Sequence, residues 1–186
     1  MPNEFDGRSS DSMIRLIAAM DSRRGIATAS GIPWHLPGDT AYFHEQTAAG
    51  LILMGWTTYN EFAAPLHGRE NFVLSAEPGV LRTGFQAVGS LDQLHASHPN
   101  EDVWVIGGAA VYAETISEAD ELLLTEVDGD FNCTKFFPMF TDAFRLGVKG
   151  DDREEGGITY RFETWERSKA KSKTSPAQEV KPSAQT

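Results

Sequence analysis

A single carboxylate, Asp39, lies in a stretch that is otherwise apolar and aromatic, and its side chain is the one best placed for chemistry. The stretch from residue 32 to residue 43 reads Ile-Pro-Trp-His-Leu-Pro-Gly-Asp-Thr-Ala-Tyr-Phe. Aromatic surroundings disfavour the charged form of a carboxyl group, so this is an unusual place to keep a charge. The alternative is structural, because an aspartate at this place also caps a helix or meets the positive end of its dipole.

Two prolines predict the backbone that presents Asp39. Each proline disfavours helix in the residue before it, so the chain should run extended to Leu36 and turn into a helix from about Pro37. Asp39 then lies in the first helical turn, and Phe43, four residues later, lies on the same face. The pattern therefore predicts a carboxylate and a phenyl ring that face one cavity.

A second candidate site follows an apolar strand at residues 103–106. Gly107 and Gly108 come next, and a helical pattern runs over residues 109–119. A strand that leads into paired glycines and a helix exposes backbone N–H groups to an anion such as a pyrophosphate. The full dinucleotide fingerprint of three spaced glycines is absent, and tight packing explains a Gly-Gly pair equally well.

Strand and helix patterns alternate along the chain. Residues 13–20 are mostly apolar, which is typical of a parallel strand buried on both faces, and the following loop, 21–31, has the length of a lid. Residues 144–149 and 158–163 alternate apolar with polar side chains, which predicts an antiparallel hairpin. Further strands are predicted at 51–54, 71–75, 103–106 and 121–127, with helices opening at a capping box of Thr58 and Glu61, at a cap of Ser90 and Gln93, and at Ala109.

Length and composition set the limits of the fold. The 186 residues, 40% of them hydrophobic, suit one globular domain, which we assign to residues 13–167. The polar leader, 1–12, and the Lys-, Ser- and Pro-rich tail, 168–186, should be disordered. The net charge of −11 argues against nucleic-acid binding, and no apolar run approaches the ~20 residues of a membrane span. We therefore expect a cytoplasmic protein.

Cysteine and histidine usage bears on metals and redox state. Cys133 is the single cysteine, so no intrachain disulfide can form, which fits a reducing compartment. His95 and His98 are three residues apart but have no acidic or cysteine partner nearby in the sequence. We therefore expect no structural metal.

Seven short motifs, in their order and spacing, resemble the dihydrofolate reductase family over roughly residues 13–167. They are Ile17-Ala18-Ala19, the segment from Gly31 to Asp39, Leu53-Met54-Gly55, Leu66-His67-Gly68-Arg69, Val105 to Gly108 with Tyr112, Leu124-Thr125, and Phe136-Phe137-Pro138. The resemblance implies a three-layer α/β fold with a central, mostly parallel sheet of about eight strands. Helices would cover both faces, and an antiparallel hairpin would close the C-terminal edge.

The resemblance also implies reduction of 7,8-dihydrofolate to 5,6,7,8-tetrahydrofolate, with hydride passing from NADPH to pterin C6 and a proton reaching N5. Asp39 would orient the pterin through two hydrogen bonds and promote protonation, with Thr125 bridging Asp39 to the ring. Tyr112 would lie near the hydride-transfer centre, or its hydroxyl would simply satisfy a backbone partner. Arg69 would clamp the substrate's glutamate α-carboxylate with its fork of donors, or form a surface ion pair.

Other binding residues carry over from the resemblance by position. For the substrate they are Ile17, Ala18, Phe43, Phe62, Leu66 and Ile106. For the cofactor they are Ala19, Ile26, Gly55, Trp56, Thr57, Thr58, Leu74, Ser75, Ala76, Ile106, Gly107, Gly108, Ala109, Ala110, Val111 and Tyr112. Loop 21–32 would be a lid over the nicotinamide. The implied partners are dihydrofolate and antifolates such as methotrexate or trimethoprim, bound by a monomer.

Several positions depart from the family's pattern. Trp56 stands where an arginine commonly holds the 2′-phosphate of NADPH, and Ser75-Ala76, followed by Glu77, replaces two serines. NADH therefore remains a candidate cofactor as well as NADPH. Trp56 could stack on the adenine ring in place of a contact to the 2′-phosphate. Cys133-Thr134-Lys135 replaces a usual Gly-Asp-Thr near the lid, with no evident substitute for the aspartate. Ala64 and His44 replace an arginine and a lysine near the substrate.

Two other functions stay open from the sequence. The reductase domain of riboflavin synthesis shares the fold and cofactor but usually lacks an acid after the Trp-Pro segment, so Asp39 disfavours it. A folate- or nucleotide-binding module without catalysis would bind methotrexate yet oxidise no NADPH with dihydrofolate.

Overall fold

The computed structural model describes residues 12–76 and 79–168. Its strands are Ile14–Asp21 (β1), Gly25–Ala27 (β2), Leu51–Gly55 (β3), Glu70–Leu74 (β4), Phe85–Val88 (β5), Val103–Val105 (β6), Glu121–Val127 (β7), Lys135–Phe136 (β8), Phe144–Lys149 (β9), Arg153–Glu155 (β10) and Ile158–Arg167 (β11). Its helices are Pro37–Gln46 (α1), Trp56–Glu61 (α2), Leu91–Ser97 (α3) and Ala109–Thr115 (α4).

The described strands form one large sheet and one small one. The large sheet runs in the order β10-β11-β7-β1-β6-β3-β4-β5, and β9 pairs with β11 beside β10. From β7 to β5 every pairing is parallel, whereas β11 is antiparallel to all three of its neighbours. Strands β2 and β8 form a separate antiparallel pair. The predicted mixed sheet with an antiparallel C-terminal edge is confirmed.

Alternating side chains of the central strands build two apolar layers. In β3, Leu51 and Leu53 belong to one buried cluster, and Ile52 and Met54 belong to the other. Side chains of α3 and α4 pack in the first cluster, and side chains of α1 and α2 pack in the second. Because successive residues of a strand point to opposite faces, the helices cover both faces of the sheet, as predicted for three layers.

Several predicted boundaries differ from the structure. The capping box on Thr58 and Glu61 was wrong, because β3 passes directly into α2 at Gly55 and Thr58 lies inside the helix. Helix α4 ends at Thr115 instead of residue 119, since the chain turns there towards β7. The cap at Ser90 is confirmed, with its side chain accepting a hydrogen bond from the Gln93 amide at 3.1 Å.

Short elements at the edges of the fold were not predicted. Strand β5 has buried residues only at its two ends, and β10 lies within residues 150–157, which the sequence pattern left between the two strands of the hairpin. The predicted leader and tail lie outside the described residues except for Ser12, which is buried, and Ser168, whose amide bonds the Ala143 carbonyl. Each helix that the described residues form is too short or too polar to cross a lipid bilayer.

Candidate active site

A cavity of about 880 Å³ opens at the carboxyl-terminal side of the parallel strands. It lies where strands β1 and β6 meet at the centre of the sheet, which is the usual ligand position in such folds. The structure brings these sequence-predicted residues into its wall: Ile17, Ala18, Ala19, Ile26, Asp39, Phe43, Gly55, Trp56, Thr57, Thr58, Phe62, Leu74, Ile106, Gly107, Gly108, Ala109, Ala110, Val111, Tyr112 and Thr125.

Asp39 lies in the first turn of α1, as predicted, and faces this cavity. Its Oδ1 accepts a hydrogen bond of 2.6 Å from the hydroxyl of Thr125. Thr125 is buried on β7, directly opposite Ala19 of β1. Within the described residues, the carboxylate accepts no further hydrogen bond, and the N-cap, Leu36, provides no side-chain cap. The capping role considered for Asp39 is therefore wrong, and Oδ2 is available to a ligand.

The surroundings of Asp39 raise the pKa of its carboxyl group. Burial is the largest cause, since it penalises the charged form. The hydrogen bond from Thr125 lowers the pKa, and the negative charge of Glu155 on β10 raises it again. The net upward shift suits an acid that holds a proton closer to neutral pH than an ordinary aspartate does.

Tyr112 lies in the wall with its hydroxyl already engaged. The hydroxyl donates a hydrogen bond of 2.6 Å to the carbonyl oxygen of Ile17, and the ring packs against Phe137. Burial raises the pKa of the Tyr112 hydroxyl far above neutrality. The hydroxyl therefore has a backbone partner, which was one of the two roles considered for it. This hydrogen bond links α4 to β1 at the centre of the cavity.

Leu66 does not line the cavity, although Phe43 and Phe62 do. Leu66 is buried in one apolar cluster with both rings, behind the wall. The side chain of Asn71 accepts from the Leu66 amide at 3.0 Å and donates to the Leu66 carbonyl at 3.0 Å. These two hydrogen bonds fix Leu66 in the core, where it supports the aromatic wall.

Arg69 lies beside the cavity instead of in its wall. Its guanidinium donates to the Thr47 hydroxyl at 2.7 Å and the His67 carbonyl at 3.3 Å, and lies 3.4 Å from the ring of His44. His44 does line the cavity. Within the described residues Arg69 forms no ion pair such as the one considered for it. None of these partners is a carboxylate, which leaves the positive charge of Arg69 available to an anion.

Glycines form the other end of the cavity. A Cβ at Gly55 would lie 2.6 Å from a methyl group of Val111, so only glycine fits between β3 and α4. The Gly107–Gly108 peptide bond is cis, and Gly108 is the N-cap of α4 without a side chain. The first N–H groups of a helix have no intrahelical acceptor. With the hydroxyls of Thr57 and Thr58 in the same wall, these groups fit the pyrophosphate of a dinucleotide.

Ser75 and Ala76 were predicted beside the cofactor but line a separate cavity of about 240 Å³ with Gln93. They end up there because β4 stops at Leu74 and the chain turns towards β5. Trp56 is 45% exposed and packs obliquely against Tyr59. No lysine or arginine of the described residues lines the small cavity.

Asp21 anchors the loop that was predicted to be a lid, and the sequence did not reveal this role. It is 1% exposed, and its Oδ1 accepts from the amides of Arg23 at 2.9 Å and Gly25 at 2.7 Å. Its Oδ2 accepts from the amide of Phe131 at 3.2 Å. The carboxylate thus ties the start of the lid to the loop before Cys133, a buried free thiol. The acidic side chain that joins the two loops therefore lies at the start of the loop after β1 and not in the Cys133-Thr134-Lys135 segment.

We expect Asp21→Ala to lower the free energy of unfolding by about 1–3 kcal/mol, because it leaves buried amides without an acceptor. Chemical denaturation measures this loss. Asp130→Ala is the matched control, since Asp130 forms an exposed ion pair of 2.9 Å with Arg23 at the same loop. Because both side chains of that pair are exposed to solvent, it should contribute little to stability. Equal losses in the two variants would contradict the role given to Asp21.

Several residues of the wall were not predicted. Strands β2 and β8 bring the lid and Lys135 to the cavity, and no local signal marks such a short pair. The wall residues missed from the sequence are Thr40, Glu61, Glu114 and Lys135, whereas Ala27, Thr28, Ala29, Gly31 and Ile32 belong to the loop predicted as a lid and His44 was placed near the substrate. Within the described residues, no cluster of three or more histidine, cysteine or acidic side chains is arranged to hold a metal ion.

Comparison with known proteins points to one family. The family model described as "Dihydrofolate reductase" matches residues 13–167. The dihydrofolate reductase of Bacillus subtilis (strain 168) is 35% identical over 159 residues, covering 83% of this chain and 95% of the relative. That of Mycobacterium tuberculosis (strain H37Rv) is 35% identical over 167 residues, covering 84% and 99%. A dihydrofolate reductase structure from Enterococcus faecalis, complexed with NADP(H) and RAB-propyl, superposes with a TM-score of 0.76 at 26% identity, covering 86% of this chain and 98% of that chain.

Proposed function

The chain belongs to the dihydrofolate reductase family, and from that premise we propose that Asp39 orients the pterin and promotes protonation of N5. The protein is an oxidoreductase that reduces dihydrofolate to tetrahydrofolate with NADPH. The observation that carries the role of Asp39 is its geometry: Asp39 lines the cavity, one of its carboxylate oxygens accepts from Thr125, and the other has no hydrogen-bond partner among the described residues.

The open carboxylate oxygen matches the chemistry of a pterin. The ring's exocyclic amine and its neighbouring ring N–H are two donors on one edge, and a carboxylate accepts from both. The hydrogen bond from Thr125 holds the carboxylate in one orientation. NADPH, when bound, supplies the hydride that reaches C6. Because burial raises the pKa of Asp39, the residue can hold the proton destined for N5 and pass it on through water.

The other implied residues fit around this centre. Tyr112, through its hydrogen bond to Ile17, keeps the backbone of β1 in place beside the ring. Phe43 and Phe62 provide flat apolar surface for the pterin and benzoyl groups. Arg69 meets the glutamate α-carboxylate at the cavity rim, since Thr47, His67 and His44 already orient its guanidinium.

We propose that the preference for NADPH over NADH is weak. Trp56 occupies the position where a basic side chain commonly meets the 2′-phosphate, and its exposed ring suits stacking on adenine. The charged side chains in the cavity wall are Asp39, Glu61, Glu114 and Lys135, so the described wall is mostly acidic. Lys135 lies on β8 beside the lid.

The ratio of the two cofactors' kcat/KM tests this preference. We expect NADPH to be favoured by less than about tenfold, which corresponds to roughly 1.4 kcal/mol. Trp56→Arg should raise the ratio by about 10–100-fold through a charge-assisted contact to the 2′-phosphate, with little change for NADH. Trp56→Gln is the uncharged control and should leave the ratio unchanged. A strong NADPH preference in the unaltered protein would contradict the proposal.

We further propose that methotrexate and trimethoprim compete with dihydrofolate, because a diaminopyrimidine presents donors to Asp39 as the pterin does. The protein is proposed to act as a monomer, since residues of one chain line the cavity. A cytoplasmic location is proposed because the single cysteine is a buried free thiol, as suits a reducing compartment.

The experiment is an assay of purified protein with NADPH and dihydrofolate. Absorbance of the reduced nicotinamide should fall only when both are present, and methotrexate should stop the fall. Binding of methotrexate without any consumption of NADPH would favour the non-catalytic folate-binding module instead.

A further inference from the structure

A carboxylate from the far end of the chain caps the helix that carries Asp39. Both side-chain oxygens of Glu155, on β10, accept from the amide of Gly38, at 3.1 and 3.0 Å. The hydroxyl of Tyr160, on β11, donates to Glu155 Oε1 at 2.9 Å. Tyr160 is 1% exposed, so this hydroxyl is fixed in the core. Neither Glu155 nor Tyr160 lines the main cavity.

The start of α1 requires such a partner from outside. Its N-cap, Leu36, offers no side-chain acceptor, and its first residue, Pro37, has no N–H. Gly38 therefore provides the first amide donor of the helix, immediately before Asp39. A carboxylate at this end also interacts favourably with the helix dipole.

Gly38 allows this close approach only because it has no side chain. A Cβ at this position would clash with Glu155 Oε1 and with the Tyr160 hydroxyl. The Gly38 backbone, the Glu155 carboxylate and the Tyr160 hydroxyl can therefore pack together only because residue 38 is glycine.

We propose that Glu155, held by Tyr160, is a positioning residue for the reaction: it anchors the first turn of α1 and places its negative charge beside Asp39. This inference rests on the function proposed for Asp39. Through the anchor, Glu155 sets where the carboxyl group meets the pterin. Through its charge, it favours the protonated form of Asp39.

Glu155 is the nearby group that can act on Asp39 around neutral pH. Among the described residues, the groups that interact with Asp39 through a hydrogen bond or through charge are the Thr125 hydroxyl from β7, Glu155 from β10, Tyr160 from β11, Tyr112 from α4 and Tyr42 from α1 itself. Burial raises the pKa of Tyr42 and of Tyr160 to about 12, and it raises the pKa of Tyr112 as well. The three tyrosines are therefore neutral where the enzyme works.

Glu155→Gln tests the inference, because glutamine keeps an acceptor for Gly38 and removes the charge. The readout is the rate of hydride transfer in a single turnover, measured against pH. We expect the apparent pKa of this rate to shift downward and the rate at pH 7 to fall. Glu154→Gln is the matched control, since it removes the same charge from an exposed neighbour on the same strand and should leave the profile unchanged.

Gly38→Ala gives a second test that leaves the charge in the chain. The added methyl group displaces Glu155 from α1, so the profile should shift in the same direction as in Glu155→Gln. If Glu155→Gln fails to fold, the pH profile of Gly38→Ala tests the proposal on its own. A lower Tm with an unshifted profile would make Glu155 a structural cap and overturn the proposal, as would an equal shift in Glu154→Gln. Failure of the function proposed for Asp39 is separate, since it would show as an active Asp39→Asn variant.

Discussion

Asp39→Asn is expected to lower kcat/KM for dihydrofolate at pH 7 by about 10²–10⁴-fold, the range that general acid catalysis contributes. The amide keeps an oxygen for the Thr125 hydroxyl but presents an N–H₂ group to the donors of the pterin. It also holds no proton to give. Steady-state kinetics measure the loss. Glu45→Gln, which removes an exposed carboxylate from the same helix, should have near-normal kinetics.

The same variant should keep its fold. Because the pKa of Asp39 is raised in the folded protein, the folded state loses stability as pH rises from the unfolded pKa through the folded pKa. At pH 7 the charged carboxylate therefore opposes folding, and asparagine removes this cost. Thermal unfolding should give an equal or higher Tm for Asp39→Asn. Near-normal turnover of a well-folded variant would refute the assignment of Asp39.

Arg69→Leu is expected to raise the KM for dihydrofolate by about 10–100-fold with a smaller effect on kcat. The guanidinium is oriented by Thr47, His67 and His44, and a hydrogen bond to a charged group is worth about 1.5–3 kcal/mol. Because the substrate's glutamate is remote from the reacting atoms, loss of its contact with Arg69 weakens ground-state and transition-state binding alike.

A substrate without glutamate provides the control for Arg69. The KM for 6-methyl-7,8-dihydropterin should be the same in Arg69→Leu and in the unaltered protein. Arg69→Lys should be intermediate for dihydrofolate, since lysine keeps the charge but loses the fork. If both substrates lost affinity equally in Arg69→Leu, the residue would be acting through the packing of α1 and not through the carboxylate.

The centre of the site could be predicted from the sequence because its determinants are local. Pro37 fixes where α1 begins, which places Asp39 in its first turn and Phe43 one turn later. The apolar runs at β1, β3 and β6 predict buried parallel strands, and the glycines after β6 predict a close backbone approach. The resemblance to the family added the roles of these residues.

The remaining features depend on contacts between distant segments. Glu155 lies 117 residues beyond Gly38 and within a stretch that was not predicted to be a strand, so no spacing rule connects the two. Asp21 lies 110 residues before Phe131, and its role as lid anchor appears only when the two loops meet. Leu66 follows the family's pattern, yet its hydrogen bonds with Asn71 place it behind the wall.

Whether Asp39 controls proton delivery can be measured by the pH dependence of single-turnover hydride transfer in the unaltered protein and in Asp39→Asn. In the unaltered protein the rate should fall as pH rises through one ionisation, with an apparent pKa above the usual range of an aspartate, and the variant should lack this ionisation. A flat profile, or the same ionisation in Asp39→Asn, would contradict this role of Asp39.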